Sequence, residues 1–190
     1  MKYALALLWL ALVLGAPLAA PARADQNDPR LPPLFDELKD ASDLNTVGTA
    51  EQAIWGIWME SGSDEIDQLL RQGSFHMQMQ SFGAALSHFN AVIEALPNFA
   101  EGWNKRATLY FLMGEYTKSI AYCEKTLALE PRHFGALFGL GLIYSELEEA
   151  PKAIDAIERA LKVHPHLQNA PEIMQRLKAR LKSQEIWVVS

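Results

Sequence analysis

The sequence predicts an all-α chain built from stacked helix–turn–helix repeats. Three observations carry that prediction. Prolines recur at an interval of 34 residues, at Pro97, Pro131 and Pro165. With those prolines in register, the segments 66–99, 100–133 and 134–167 align without a gap. Inside each segment, apolar residues fall at i, i+3, i+4 and i+7, the spacing of one helix face, and they do so twice.

The N-terminal segment stands apart from these repeats. "MKYALALLWLALVLGAPLAAPARA" has an early lysine, an apolar run of roughly 11 residues from Ala4 to Leu14, and a break at Gly15 and Pro17. It ends in Ala22-Arg23-Ala24, a small-x-small cleavage pattern. The run is shorter than the roughly 20 residues a membrane-spanning helix needs. Residues 1–24 are therefore expected to be a signal peptide, which makes the chain secreted and leaves no stable transmembrane segment after removal; retention as an anchor is the alternative. Losing Lys2 and Arg23 leaves 15 basic against 23 acidic side chains, a balance of −8. Such a surface gives no electrostatic grip on a phosphate backbone, so nucleic acid is not an expected partner. Cys123 is the only cysteine, so no internal disulfide can form.

Residues 25–65 hold two helical patterns, "PPLFDELKDA" and "TAEQAIWGIWMES". They form an N-terminal helical cap or a degenerate repeat, because Lys39 and Glu51 replace the small residues found at the crossings further on. The acidic "SGSDEID" is expected to be the capped, negatively charged start of the next helix. In repeat 1 (66–99), Leu69, Gly73 and His76 precede a turn near Ser81, with Ala85, Phe89 and Val92 after it. In repeat 2 (100–133), Trp103, Ala107 and Tyr110 precede a turn at "MGEY", and Ser119, Cys123 and Thr126 follow. In repeat 3 (134–167), Leu137, Leu140, Gly141 and Tyr144 precede Ala153, Ile157 and Ala160. Gly73, Ala107 and Gly141 are expected where two helices cross closely. Each proline ends its unit because its ring cannot continue the hydrogen-bond ladder. Residues 168–182 are expected to be a C-terminal capping helix that lays Ile173, Met174 and Leu177 on the last pair, with 183–190 a short tail.

This spacing, W-x2-L-G-x2-Y, then A-x3-F, then P, resembles the tetratricopeptide repeat. Gln72 and Arg106 stand where the family usually has leucine, His76 where it prefers tyrosine, and Cys123 where it prefers an aromatic. The resemblance implies a right-handed superhelical solenoid whose first helices line a concave groove for a partner peptide or helix. The groove-facing places carry over as Leu70, Ser74 and Met77, then Asn104, Thr108 and Phe111, then Phe138, Leu142 and Ser145. A subclass of the family grips a C-terminal carboxylate with lysine, arginine and asparagine there; Leu70 and Ser74 remove that clamp. An apolar stripe remains, unless the chain's own ends fill it and make it core.

No nucleophile motif, glycine-rich phosphate loop or H-E-x-x-H is present, so no catalytic residue, cofactor or metal is assigned. Cys123 reads as a small buried core group, His164 and His166 as a solvated turn, and His76 as filling for an aromatic slot. The expected function is a non-enzymatic protein-interaction scaffold of the bacterial cell envelope, in the periplasm. Two alternatives stand beside it. One is a homo-oligomer joined through Trp55 and Trp58 or through the groove. The other is a metal or small-ligand carrier using His164, His166 or Met77 and Met79.

Overall fold

Nine helices and no strand occur among the described residues, which in the computed structural model are 25–189 along the backbone and 25–183 with side chains. They are α1 (Leu31–Asp40), α2 (Leu44–Trp58), α3 (Asp64–Gln78), α4 (Phe82–Ala95), α5 (Ala100–Leu112), α6 (Tyr116–Leu129), α7 (Phe134–Glu146), α8 (Ala150–Val163) and α9 (Ala170–Val189). The reading of residues 1–24 as a leader lies outside the described residues. No described helix is long and apolar enough to cross a membrane.

The fold is an all-α solenoid of helix pairs. α3 packs on α4, α5 on α6 and α7 on α8, and each pair stacks on the next through α4–α5 and α6–α7. α5 also touches α3 and α7, which gathers the first helices of the pairs on one face. Small residues permit the close crossings. A Cβ on Gly73 would lie 2.5 Å from Phe89 Cε1, and one on Gly141 would lie 2.5 Å from Ile157 Cγ1. In the middle pair, where Ala107 and Ser119 meet, the Ser119 hydroxyl donates to the Ala107 carbonyl at 2.7 Å and satisfies a buried polar group.

The prolines mark a turn that is built three times over. The N–H of Leu96, Glu130 and His164 closes the last helical bond of its unit, to Val92, Thr126 and Ala160. Three residues on, the N–H of Phe99, His133 and Leu167 donates back to the carbonyls of Leu96, Glu130 and His164 themselves. Pro97, Pro131 and Pro165 sit between, where no N–H is needed. The turns inside each pair repeat as well: Gln80, Gly114 and Glu148 all take the left-handed conformation, with φ of 55°, 74° and 61°. Only one of the three is glycine, so this period is hidden in the residue types.

The ends depart from expectation in two ways. α9 runs to Val189, so 183–189 continues the capping helix and is not a separate tail; no glycine or proline interrupts it after Pro171. Ile173, Met174 and Leu177 do lie on the last pair, against Ala153 and Ile157. α3 starts with Asp64, Glu65 and Asp67 in its first turn, but Ser63 makes no side-chain cap. Asp67 instead reaches back to accept from the Ser61 N–H at 2.7 Å. Of the two readings of 25–65, α1 and α2 follow the cap: they pack on each other without stacking α2 along α3 as a further repeat would. α2 is capped by Asp43, which accepts from the Asn45 and Thr46 N–H groups, and the pair turns its aromatic side chains toward the feet of later repeats.

Candidate functional site

The first-helix face of the solenoid divides into a covered end and an open pocket. The covered end lies at the N-termini of α5 and α7. Trp58 lies flat on His133, with ring centroids 4.0 Å apart and planes 8° apart. Trp55 meets Phe134 edge-on at 5.3 Å and His133 at 5.6 Å. A Cβ on Gly135 would lie 2.6 Å from Trp55 Cη2, so only glycine lets α2 approach α7 this closely. The Arg132 guanidinium covers Phe35, and Gln26 bonds both the Asn98 carbonyl and the Ala100 N–H.

A buried carboxylate organises this end. Glu101 is 1% exposed. Its Oε2 accepts from the Asn104 amide at 3.0 Å and from His133 Nε2 at 3.0 Å. Its Oε1 lies 3.0 Å from the Lys105 ammonium. His133 Nδ1 accepts the Ala136 N–H at 3.1 Å, so the ring proton belongs on Nε2, which donates to Glu101. Burial pushes the Glu101 carboxyl up, but Lys105 and His133 together pull it below the ordinary carboxylate range.

Beyond the covered end, α5, α6 and α7 enclose a pocket of about 280 Å³. Asn104, Thr108 and Phe111 line it from α5, and Phe138, Gly139 and Leu142 from α7. Cys123 and Ser119 form part of its wall from α6. Gly139 and Gly135 leave the room: a Cβ on Gly139 would come no nearer than 3.8 Å to Cys123 Sγ. Five of the nine groove positions read from the sequence therefore converge on one cavity. Gly135, Gly139, Leu112 and Cys123 were not among them, because their places in the helix faces mark them as crossing or edge residues.

The other four positions fare differently. Leu70 is fully buried, in a cluster with Ile66, Phe89, Phe99 and Leu109, and is core, not groove. The reason is that α5 folds over this part of α3. Ser74 spends its hydroxyl on the Leu70 carbonyl at 2.8 Å. Met77 packs at the edge of the same cluster. Ser145 is half-buried near the end of α7, away from the pocket lining.

The remaining candidates resolve into packing. Cys123 is buried, and burial pushes its thiol up to about 12. His76 lies parallel to His88 at 5.3 Å, the place that Tyr110 and Tyr122 fill one repeat later with the same centroid separation. His164 is not a solvated turn residue: it is buried edge-on against Phe134, with Nε2 3.4 Å from Glu51 Oε2. Trp55 and Trp58, expected as a surface for pairing two copies, are spent inside the chain.

A family model described as the tetratricopeptide repeat matches residues 98–165. A TPR repeat-containing protein of Rhizobium etli is 36% identical over 152 residues, which cover 80% of this chain and 74% of that protein. The first TPR domain of Spaghetti, solved bound to an HSP90 peptide, superposes with a TM-score of 0.60 at 19% identity, covering 63% of this chain and 95% of that one. The Sgt2 TPR domain from Aspergillus fumigatus gives a TM-score of 0.61 at 18% identity, covering 65% and 83%. At such identities the two structures speak for the fold alone.

Proposed function

The chain belongs to the tetratricopeptide repeat family, and on that premise we propose that it is a non-enzymatic protein-interaction scaffold of the bacterial cell envelope, holding an apolar segment of a partner in the pocket between α5 and α7. The observation that carries this reading is the cavity itself. Phe111, Phe138 and Leu142 surround an opening of about 280 Å³ that no side chain of the described chain fills. Open apolar concavities of this kind are where partner side chains anchor. The Spaghetti domain holds an HSP90 peptide, SRMEEVD, which is rich in acids. Here no lysine or arginine lines the pocket, and Lys105, next to Asn104 on α5, is already paired with Glu101, so shape and apolar contact would select the ligand in place of a carboxylate clamp. The leader-like pattern of residues 1–24 supports the envelope location, and an N-terminus at Asp25 in the exported protein would bear it out.

A photo-crosslinking residue at Thr108, on the pocket rim, tests the reading in cells. Gly139→Leu serves as the control, since its Cβ would meet only Cys123 Sγ, at 3.8 Å, and the rest of the side chain would occupy the pocket. The expected result is a captured polypeptide that disappears in the Gly139→Leu background while the helical melting curve is unchanged. Identical capture in both backgrounds would refute the pocket as the binding site.

A further inference from the structure

The α1–α2 hairpin has its own core, Leu31, Phe35, Leu38, Val47, Ala50, Ile54 and Ile57, to which the repeats contribute Phe134 alone among fully buried hydrophobic residues, beside the buried His133 and His164. It is thus a separable unit held to the repeats by an aromatic patch. That patch ends at Gly135, which is pressed by Trp55 on one side and lines the pocket on the other. The hairpin thus abuts the pocket through Gly135 while contributing none of its lining. In the patch sits His164, 1% exposed, and neither of its ring nitrogens has a hydrogen-bond partner.

We propose that the α1–α2 hairpin is a displaceable latch on the groove, and that it lets go on acidification, when the buried imidazole of His164 takes up a proton. The proposal rests on the pocket reading above and adds its regulation. The groups facing His164 are few. Glu51 approaches from α2 at 3.4 Å, Phe134 and neighbouring His133 from the foot of α7, and His166 from the same turn. Burial lowers the affinity of His164 for a proton; Glu51 opposes this in part, and His166 adds to it. The released histidine would titrate near the ordinary value of 6.5. The released state therefore binds more protons than the docked one, and falling pH favours release from about 6.5 downward. His133 differs in that both of its ring nitrogens are partnered, Nε2 by Glu101 and Nδ1 by the Ala136 N–H. Release would bare Gly135 and the Glu101–Lys105 pair and lengthen the groove toward the N-termini of α5 and α7.

Hydrogen exchange on the full chain at pH 7.5 and pH 5.0 tests this without any partner. A groove that binds nothing would leave the result standing. Protection factors of α2 amides should drop by up to about 30-fold at pH 5.0, the limit for one proton over that interval, while α5–α8 keep theirs. His164→Gln, neutral at both pH values, should abolish the difference. Should His164→Gln release the hairpin at both pH values, Glu51→Gln decides. Without the offsetting carboxylate, release must begin nearer pH 6.5, and unchanged release overturns the proposal. Equal protection of α2 at the two pH values, equal losses in α2 and α5–α8, or a full drop retained in His164→Gln would also overturn it.

Discussion

His133 donates from Nε2 to the Glu101 carboxylate at 3.0 Å while its other nitrogen caps α7 at the Ala136 N–H. One ring thus ties the start of α5 to the start of α7. Removing the carboxylate leaves the Lys105 ammonium and a buried imidazole N–H without an acceptor. Glu101→Ala should cost about 3 kcal/mol in urea denaturation, within the range for breaking a buried charged pair. The sign of the pH effect follows from the lowered Glu101 value. The stability it gives is complete above the unfolded carboxyl range near 4.5 and is lost as pH falls through the lower folded value. The unaltered chain should therefore lose stability below pH 4.5 more steeply than Glu101→Ala, an onset about two pH units below the one assigned to His164.

Gly141 crosses α8 so closely that an added methyl would stand 2.5 Å from Ile157 Cγ1 and 3.4 Å from the Ala153 carbonyl. The first neighbour can yield by a rotamer change, but the second is backbone. Gly141→Ala should lower stability by about 1–3 kcal/mol despite alanine's better helix propensity. Ile157→Ala, which removes Cγ1, should cost less in the Gly141→Ala chain than in the unaltered one. Additive losses in thermal denaturation would mean that the helices separate instead of the side chain moving.

How far the residues announced this arrangement can be traced at particular positions. Pro97, Pro131 and Pro165 disclosed the period because proline has one structural meaning at a helix end. Gly73 and Gly141 disclosed the crossings because little else fits there. Trp55, Trp58 and Phe35 announced only that they would meet something apolar, which for the two tryptophans was read as a second copy. Their partners, Arg132, His133 and Phe134, lie roughly 75 to 100 residues on in sequence, and helix periodicity records a face, not what covers it. His164 misled for the same cause: its turn reads as polar until α2 is laid over it. Leu70 occupies a groove place in the repeat pattern, yet its burial depends on Leu109 of the next unit.

Cys123 lines the pocket and still should behave as an inert hydrocarbon. Burial pushes its thiol up to about 12, the Ser119 contact lowers it in part, and Glu124 raises it further. At pH 8 only about one molecule in ten thousand would carry the thiolate, the form that reacts. Alkylation by iodoacetamide at that pH should be negligible in the folded chain and complete in denaturant. Rapid labelling under native conditions would show that the pocket wall opens without unfolding.

Gln80 tests whether the hidden period at the intra-pair turns carries energy. It sits at φ 55°, where Gly114 sits in the next repeat at 74°. In both turns the following N–H returns to the helix, Ser81 to the His76 carbonyl and Glu115 to the Tyr110 carbonyl, each at 2.9 Å. The conformation is therefore imposed by the helix ending, whichever residue stands there. A side chain in this region costs about 1 kcal/mol relative to glycine. Gln80 is exposed and makes no side-chain hydrogen bond among those described, so its replacement loses little else. Gln80→Gly should raise stability by roughly 0.5–1 kcal/mol, and Gly114→Ala should lower it by a similar amount, both read from urea midpoints at constant slope. Opposite signs at these two positions would establish that the turn geometry, not the residue, is what the 34-residue repeat preserves.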